Sequence, residues 1–196
     1  MRTRNVDKVA LVKKKAMEMA VAEGLERFSV NKLAKACGIS VATLYIYYKD
    51  KDDLITQIAM EEGRRMSAIV LKDFDPELSF SEGLRMQWQN RAKHMIENPV
   101  AMLFFEQLRS SSYHEKVIAT LMADFKEVMG KFVKNAVKKG EIKEMPVEVY
   151  WSVAFAPLYS LIRFHSEGKS MGGKAFAISE QVLWQTFELV LKAFKP

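Results

Sequence analysis

Residues 29–48 contain two short helical segments joined by a glycine, and this local pattern constrains the fold more than any other stretch of the sequence. Ser29 is a typical N-cap for the first segment, which Gly38 ends. Ser40 caps the second segment, which we expect to span about residues 41–48. Two short helices joined through a glycine turn predict a helix-turn-helix.

The flanking sequence predicts a longer helix on each side of this motif. Apolar residues recur at helical spacing over about residues 5–23, and Gly24 supplies a left-handed stop. Asp50 and Asp53 form a variant capping box, with Asp in place of the usual Glu, at the start of a helix that continues to about residue 69. The N-terminal part is therefore predicted to be a three-helix domain followed by a long fourth helix.

A helical wheel separates the second short helix of the motif into an inner and an outer side. At about 100° per residue, the inner side consists of Val41, Leu44 and Tyr48. The outer side consists of Ala42, Thr43 and Ile46, flanked by Tyr45 and Tyr47. Because so short a helix is not stable alone, Leu44 and Tyr48 are expected to dock it onto its neighbours. The outer side is then free to enter a DNA groove.

Several of these residues have a plain structural reading beside the functional one. Ser29 and Ser40 are caps on any reading, with phosphate contact as an additional role. Tyr45 and Tyr47 either pack or donate to phosphates, and Ile46 is either a contact to a thymine methyl group or a simple exposed side chain. Lys51, at the start of the fourth helix, is either an anion-binding cation or a solvated lysine.

The excess positive charge of the chain lies in its first quarter. Residues 1–51 hold 11 Lys and Arg against 5 Asp and Glu, whereas residues 52–196 hold 19 of each. The whole net charge of +6 therefore belongs to the N-terminal module. A basic module followed by a neutral body indicates that the module binds a polyanion and the body has another task.

The run FSVNKLAKACGISVATLYIYYKDKDDLI, residues 28–55, resembles the DNA-binding signature of the TetR/AcrR family of bacterial transcriptional repressors. It departs from the usual pattern at Ala42, where the family has glycine, and at Tyr48, where it has Phe; Ala42 bears on how closely the helix approaches the bases. By resemblance, the residues at the family's DNA contacts are Ser29, Ser40, Val41, Ala42, Thr43, Tyr45, Tyr47 and Lys51. The implied partner is double-stranded DNA with a palindromic operator.

The sequence predicts an all-α fold of two domains. Scarce glycine and proline, abundant methionine and the lack of long period-two alternation favour helices throughout. We expect an N-terminal helix-turn-helix DNA-binding domain, 1–51, and a C-terminal helical domain for effector binding and dimerisation, 52–196. Predicted helices in the second domain span about 80–98, 100–109, 115–139, 146–167 and 175–194, with a kink at Pro157.

The last predicted helix is apolar on two sides and therefore needs two partners. One side includes Leu183 and Phe187, and the other includes Val182 and Leu189. Pairing with the same helices of a second subunit, as the resemblance implies, would give a homodimer. The alternative is a larger monomeric core, which would leave one apolar side in water.

Bulky and adaptable side chains are numerous in the middle helices of the second domain. Most must form the core, but such a surplus also suits a cavity for a varied apolar effector, which the resemblance implies. Arg91 falls on an apolar stripe, where it either reaches the edge of the core or pairs with an acidic ligand. The candidate effector-binding residues are Trp88, Arg91, Met95, Phe105, Met122, Phe125, Trp151, Phe155 and Tyr159.

Other classes of protein have less support. The three histidines stand apart, no catalytic or phosphate-loop motif is present, and we expect no cofactor, no metal and no enzymatic activity. The single cysteine, Cys37, indicates a reducing, cytoplasmic compartment. The longest stretch without charge, Val149–Ile162, has 14 residues, fewer than the roughly 20 that a membrane-spanning helix needs. The alternatives that remain are a DNA-binding regulator without a small-molecule ligand and a small-molecule carrier.

Overall fold

The computed structural model describes residues 2–196, with side chains described from residue 8 onward except at 118–120 and 122–124. Over that part, regular secondary structure consists of helices and one isolated antiparallel bridge, between Lys169 and Ala175. The predicted all-α class is therefore confirmed. The helices are α1 (Arg2–Glu23), α2 (Val30–Ala36), α3 (Val41–Tyr45), α4 (Lys51–Val70), α5 (Phe80–Glu97), α6 (Pro99–Arg109), α7 (His114–Lys138), α8 (Val147–Ala154), α9 (Ala156–Glu167) and α10 (Glu180–Ala193).

The chain divides into two compact units. The first unit contains the residues up to Arg65 together with Asn98–Met122, and the second contains Met66–Glu97 together with Ala123–Pro196. Helices α4 and α7 each run without interruption from one unit into the other. The predicted boundary between a DNA-binding domain, 1–51, and an effector domain, 52–196, divides the chain by function and stays a prediction.

The first unit is built around a buried side of α1 that packs against α2 and α6. Val12, Ala16 and Ala20 recur every four residues along α1 and are all buried. Because two of the three are alanines, the larger side chains of α6 pack close to the α1 backbone. The same core contains Leu33, Leu44, Leu54, Ile55, Ile58, Phe104 and Leu108.

The turn between α2 and α3 has the geometry that the sequence predicts. Gly38 adopts the left-handed conformation, with φ of 64°. Its N–H donates to the carbonyl of Lys35 at 3.1 Å, and the N–H of Ile39 donates to that of Ala34 at 3.0 Å. This pair of bonds is a Schellman motif, which needs a residue without a strained Cβ at the left-handed position. It ends α2 and turns the chain into α3.

Helix α3 is shorter than predicted, ending at Tyr45 rather than at Tyr48. The carbonyl of Leu44 accepts from the N–H groups of both Tyr47 and Tyr48, at 3.0 Å each. The first of these bonds closes a tighter, 3₁₀-type turn, which ends the α-helix early. Tyr48 nevertheless points into the core, as the wheel predicts.

Helix α5 lies at the centre of the second unit. A Cβ added at Gly83 would lie 2.4 Å from Cε2 of Phe132, so this ring of α7 packs directly on the α5 backbone. One turn further along, Trp88 is fully buried and its indole N–H donates to the carbonyl of Ala154 at 2.8 Å. Its ring meets Phe187 of α10 edge to face, with centroids 5.4 Å apart. These contacts join α5 to α7, α8 and α10.

The predicted helix 146–167 is divided into α8 and α9 at Phe155, which confirms the kink expected from Pro157. Proline has no N–H to donate to the preceding turn, and its ring clashes with that turn. The uncharged stretch Val149–Ile162 is thereby split between two helices. No helix in the described chain has the length and apolar character to cross a lipid bilayer.

Helix α10 begins at Glu180, five residues later than predicted. Ser179 is its N-cap, and its hydroxyl oxygen accepts from the N–H of Val182 at 3.3 Å. The segment before it is turned by Gly173, with φ of 75°, and held by the bridge of Lys169 with Ala175. The glycine-rich segment therefore continues further than hydrophobic spacing alone indicates.

Candidate functional site

Two serines set the starts of α2 and α3. The hydroxyl oxygen of Ser29 accepts from the N–H of Lys32 at 3.4 Å. That of Ser40 accepts from the N–H of Thr43 at 3.2 Å and also lies 2.9 Å from the hydroxyl oxygen of Thr43. Both serines are therefore caps. A cap uses the oxygen as an acceptor, so the same residues are still able to donate a hydrogen bond to a phosphate.

The inner side of α3 is docked into the core of the first unit. Leu44 is 1% exposed and Tyr48 is 6% exposed, while Val41 is partly buried against the same core. Burial raises the pKa of the Tyr48 phenol, and the negative charges of Glu61 and Asp53 add to that shift. Tyr48 is thus a neutral core residue that fixes the end of α3.

The outer side of α3 and the two residues that follow it carry large side chains in solvent. Tyr45 is 52% exposed, Tyr47 is 41% exposed and Ile46 is 75% exposed, and the small side chain of Ala42 is exposed between them. Thr43 is partly exposed. An exposed apolar and phenolic surface of this kind is unusual on a helix of five residues whose other side is buried. It matches a helix that enters the major groove of DNA.

The start of α4 is fixed by a network of side-chain caps. Asp50 accepts from the N–H of Asp53 at 2.8 Å, and Asp53 accepts in return from the N–H of Lys49, also at 2.8 Å. The predicted capping box is therefore present, although Asp53 accepts from the N–H of Lys49, the residue before the cap, rather than from the N–H of Asp50. The hydrogen bond from the Lys49 N–H is the main cause of the lowered pKa of the Asp53 carboxyl.

Two further hydrogen bonds hold this helix start in place. The ammonium group of Lys51 donates to the carbonyl of Glu26 at 3.3 Å. The hydroxyl of Tyr113 donates to the carboxylate of Asp52 at 2.5 Å, and burial together with that carboxylate raises the pKa of the Tyr113 phenol. Because an ammonium group has three hydrogens, Lys51 is able to hold this position and donate to a phosphate as well.

Exposed cations are present on the same unit as α3 and the start of α4. Lys32 forms an ion pair with Glu23, with the nitrogen and oxygen 2.6 Å apart. Arg27, Lys35 and Lys49 are exposed on the same module. Since phosphate contacts supply a large share of the affinity for DNA, exposed cations on this module suit contact with the DNA backbone.

Seven of the nine candidate effector-binding residues belong to the second unit, and five of these seven form one group centred on Arg91. The Arg91 guanidinium carbon lies 4.4 Å from the ring centre of Phe155, 5.3 Å from that of Phe125 and 5.6 Å from that of Trp151. One of its nitrogens donates to the hydroxyl of Tyr159 at 3.3 Å. Trp88 lies on the same helix and is linked to this group through α8.

The other three candidates are placed differently. Met95 is half-buried near the end of α5. Phe105 belongs to the first unit, where it packs against that unit's core and meets Phe104 edge to face at 6.0 Å. The side chain of Met122 lies outside the described residues.

Sequence reasoning missed two residues next to Arg91. Gln87 accepts from Arg91 at 3.1 Å and is fully buried. Gln87 precedes Arg91 by four residues on α5. Because residues four apart share a face of a helix, the sequence contained a signal that these two are neighbours. Tyr150 is also buried close to Arg91, whose positive charge acts on its pKa. Nothing in the sequence signals this second neighbour, because it depends on the packing of α8 against α5.

Comparisons with known proteins agree with the geometry of the N-terminal module. The family model described as bacterial regulatory proteins, tetR family, matches residues 14–58. A Haemophilus influenzae protein described as an uncharacterized HTH-type transcriptional regulator is 36% identical over 88 residues, or 45% of this chain and 47% of that protein. The chain thus aligns with about half the length of that relative.

Two longer matches extend beyond the module. The fatty acid metabolism regulator protein of Bacillus subtilis is 21% identical over 131 residues, which are 66% of this chain and 68% of that protein. The crystal structure of a TetR family transcription regulator from Marinobacter aquaeolei VT8 superposes with a TM-score of 0.85 and 25% identity, covering 100% of this chain and 99% of that one. All of these proteins are named as regulators, which confirms the prediction of a regulator rather than an enzyme.

Proposed function

Because this chain belongs to the TetR family of bacterial regulatory proteins, we propose that it binds a palindromic DNA operator as a homodimer and leaves it when a small apolar or amphipathic molecule binds. The two-sided character of α3 is the observation that carries the proposal. Leu44 and Tyr48 are buried, and Tyr45, Ile46 and Tyr47 stand in solvent. A regulator of this kind meets its DNA in the cytoplasm.

The residues of the module divide into two roles. Ser29, Tyr45, Tyr47 and Lys51 contact phosphates and fix the position of α3 on the duplex. Ala42, Thr43 and Ile46 face the base edges, where a hydroxyl or an apolar group distinguishes one base pair from another. Ser40 and Val41, at the start of α3, contact the backbone and the nearest base.

An exposed apolar residue of α10 supports the homodimer. Phe187 is fully buried on one side of this helix, whereas Leu189 is 62% exposed on the other. A second copy of α10 would cover Leu189 and supply the two-fold axis that a palindromic operator requires.

Release by an effector requires a link between the two units, and α4 provides one. This helix begins at Lys51, beside the DNA-binding residues, and ends at Val70 in the second unit. The two copies of α3 in a dimer must lie about 34 Å apart to enter successive major grooves. An effector that prefers a wider spacing by about 1–3 kcal/mol would weaken operator binding appreciably.

The class of effector is supported by the aromatic group of the second unit and by one relative. Phe125, Trp151, Phe155 and Tyr159 together offer apolar and polarisable surface. The Bacillus subtilis relative is named as a regulator of fatty acid metabolism, which is consistent with an amphipathic molecule.

The experiment that tests this function begins by selecting bound duplexes from a random pool. We expect an enriched palindrome and, by sedimentation, one dimer on each site. A panel of apolar and amphipathic compounds is then added to the complex, and fluorescence anisotropy of the labelled duplex reports release. A monomer that binds its site tightly would contradict the dimer, and compounds that bind the protein without ever changing operator affinity would favour a regulator without a ligand.

Replacing Lys51 by Ala should weaken binding to every DNA sequence alike, by roughly 1 kcal/mol, because one phosphate contact is lost. The slope of log affinity against log salt should fall by about one for each lost contact. Thr43→Ala should instead change the preference among operators. Lys143→Ala, which removes an exposed lysine of the second unit, is the control, and an equal effect of this variant would contradict the assigned role of Lys51.

A further inference from the structure

Arg91 is a buried cation without an anionic partner among the described residues. The residue is 4% exposed. Its two terminal nitrogens donate to neutral oxygens, those of Tyr159 at 3.3 Å and Gln87 at 3.1 Å. Its third nitrogen, Nε, is buried and has no hydrogen-bond partner. No ion pair of Arg91 is present in the described part of the chain, whereas the exposed Arg85 on the same helix pairs with Glu188 at 2.9 Å.

Aromatic rings only partly compensate this buried charge. The guanidinium lies 4.4 Å from the ring centre of Phe155, and Phe125 and Trp151 lie within 6 Å. Rings of this kind attract a cation through their faces, but they accept no hydrogen bond in the guanidinium plane. A buried N–H directed into such surroundings is costly unless a partner arrives.

A second unpartnered polar group lies close to Arg91. Tyr150 is 4% exposed, and its hydroxyl also has no hydrogen-bond partner. The ring of Phe155 lies next to both residues. Its centre is 6.1 Å from the centre of the Tyr150 ring and 4.4 Å from the guanidinium carbon of Arg91. Burial raises the pKa of the Tyr150 phenol, so this group is a neutral donor, and the charge of Arg91 opposes the shift.

We propose that Arg91 and Tyr150 bind the carboxylate of an amphipathic acid, whose apolar body lies against Phe125, Trp151 and Phe155. This inference rests on the proposed function and specifies the chemical class of its effector. A carboxylate has two oxygens, one for the Nε–H of Arg91 and one for the Tyr150 hydroxyl. A phosphate would bring more oxygens than the two unpartnered donors can satisfy.

One of the aromatic residues around Arg91, Trp151, is partly exposed, and we place the entry of the acid there. Trp151 is 36% exposed although one face of its ring lies against Arg91. Two neighbouring residues of α8, Val147 and Val149, leave further apolar surface in solvent, at 66% and 47% exposure. An apolar chain approaching over this surface stays in contact with apolar groups until its carboxylate reaches Arg91.

Sodium decanoate and decanol provide a matched pair of probes, because they share one chain and differ in charge. Titration calorimetry on the full chain, without DNA, should show decanoate binding at least about tenfold more tightly than decanol, the scale of a charge-assisted hydrogen bond. Arg91→Met should remove that preference by lowering decanoate affinity at least about tenfold. Arg91→Lys should keep part of it, and Tyr150→Phe should reduce decanoate affinity alone.

Two controls separate this site from general effects. Arg85→Met removes another arginine of α5 that also stacks on aromatic rings, and it should leave decanoate affinity unchanged. Asp124→Asn tests whether the Asp124 carboxylate is an anionic partner of Arg91, since the Asp124 side chain lies outside the described residues. This variant too should leave decanoate affinity unchanged. Far-ultraviolet circular dichroism is used to check that each variant is folded.

The outcomes distinguish the site from the function. Equal affinities for decanoate and decanol, an unchanged preference in Arg91→Met, or a large gain of decanoate affinity in Asp124→Asn would each overturn the site. Decanoate that binds through Arg91 but leaves operator affinity unchanged would support the site and contradict release. Operator release by neutral compounds in both wild type and Arg91→Met, without any preference for decanoate, would support release and contradict the site.

Discussion

Replacing Leu44 by Ala should abolish operator binding and destabilise the first unit by about 2–5 kcal/mol, the usual cost of removing a buried leucine side chain. Leu44 is 1% exposed and is the one fully buried side chain described within α3. A helix of five residues is not stable by itself, so its position depends on docking. Without Leu44, Tyr45 and Tyr47 would lose the orientation that contact with DNA needs.

Thermal unfolding and anisotropy of a labelled operator measure the two parts of this result. Ile46→Ala is the matched control, because Ile46 is the C-cap of the same helix and is 75% exposed. We expect its unfolding free energy to stay within about 0.5 kcal/mol of wild type. Wild-type stability and affinity in Leu44→Ala would show that α3 is held by something other than its buried side.

Replacing Trp88 by Ala should destabilise the second unit by about 3–5 kcal/mol. The ring is fully buried, meets Phe187 at 5.4 Å and donates its N–H to the carbonyl of Ala154 at 2.8 Å. The variant therefore loses a large apolar volume, an aromatic contact and a buried hydrogen bond together. Any reduced response to an effector in Trp88→Ala would follow from this instability.

Chemical denaturation monitored by circular dichroism tests the prediction. Trp184→Ala is the control, because Trp184 also meets Phe187, at 5.7 Å, but is only partly buried. We expect it to lose less than half as much unfolding free energy. Equal losses of unfolding free energy in the two variants would mean that the deeper burial of Trp88 does not make it more important for stability than Trp184. Phe125→Ala, at the edge of the Arg91 group, is then the better variant for testing effector response.

Features that depend on near neighbours in the chain could be predicted well. The stops at Gly24 and Gly38, the caps Ser29 and Ser40 and the break before Pro157 all follow from groups within about five residues. The division of α3 into a buried and an exposed side follows from its helical period alone. Hydrophobic spacing predicts the end of α3 and the start of α10 at the wrong residues, because hydrogen bonds at Leu44 and Ser179 determine these positions.

Short-range periodicity, capping and turn chemistry encode the helical class, the helix-turn-helix and the exposed side of α3, so these features could be predicted from the sequence alone. The surroundings of Arg91, by contrast, depend on contacts between residues that are distant in the sequence. Its partner Tyr159 is 68 residues away along the chain, and Tyr150 approaches from α8. The sequence showed an arginine on an apolar stripe and left open whether it reached solvent. The burial of Arg91 beside the unpartnered Tyr150 hydroxyl is a property of how α5, α7, α8 and α9 pack together, which no local pattern records.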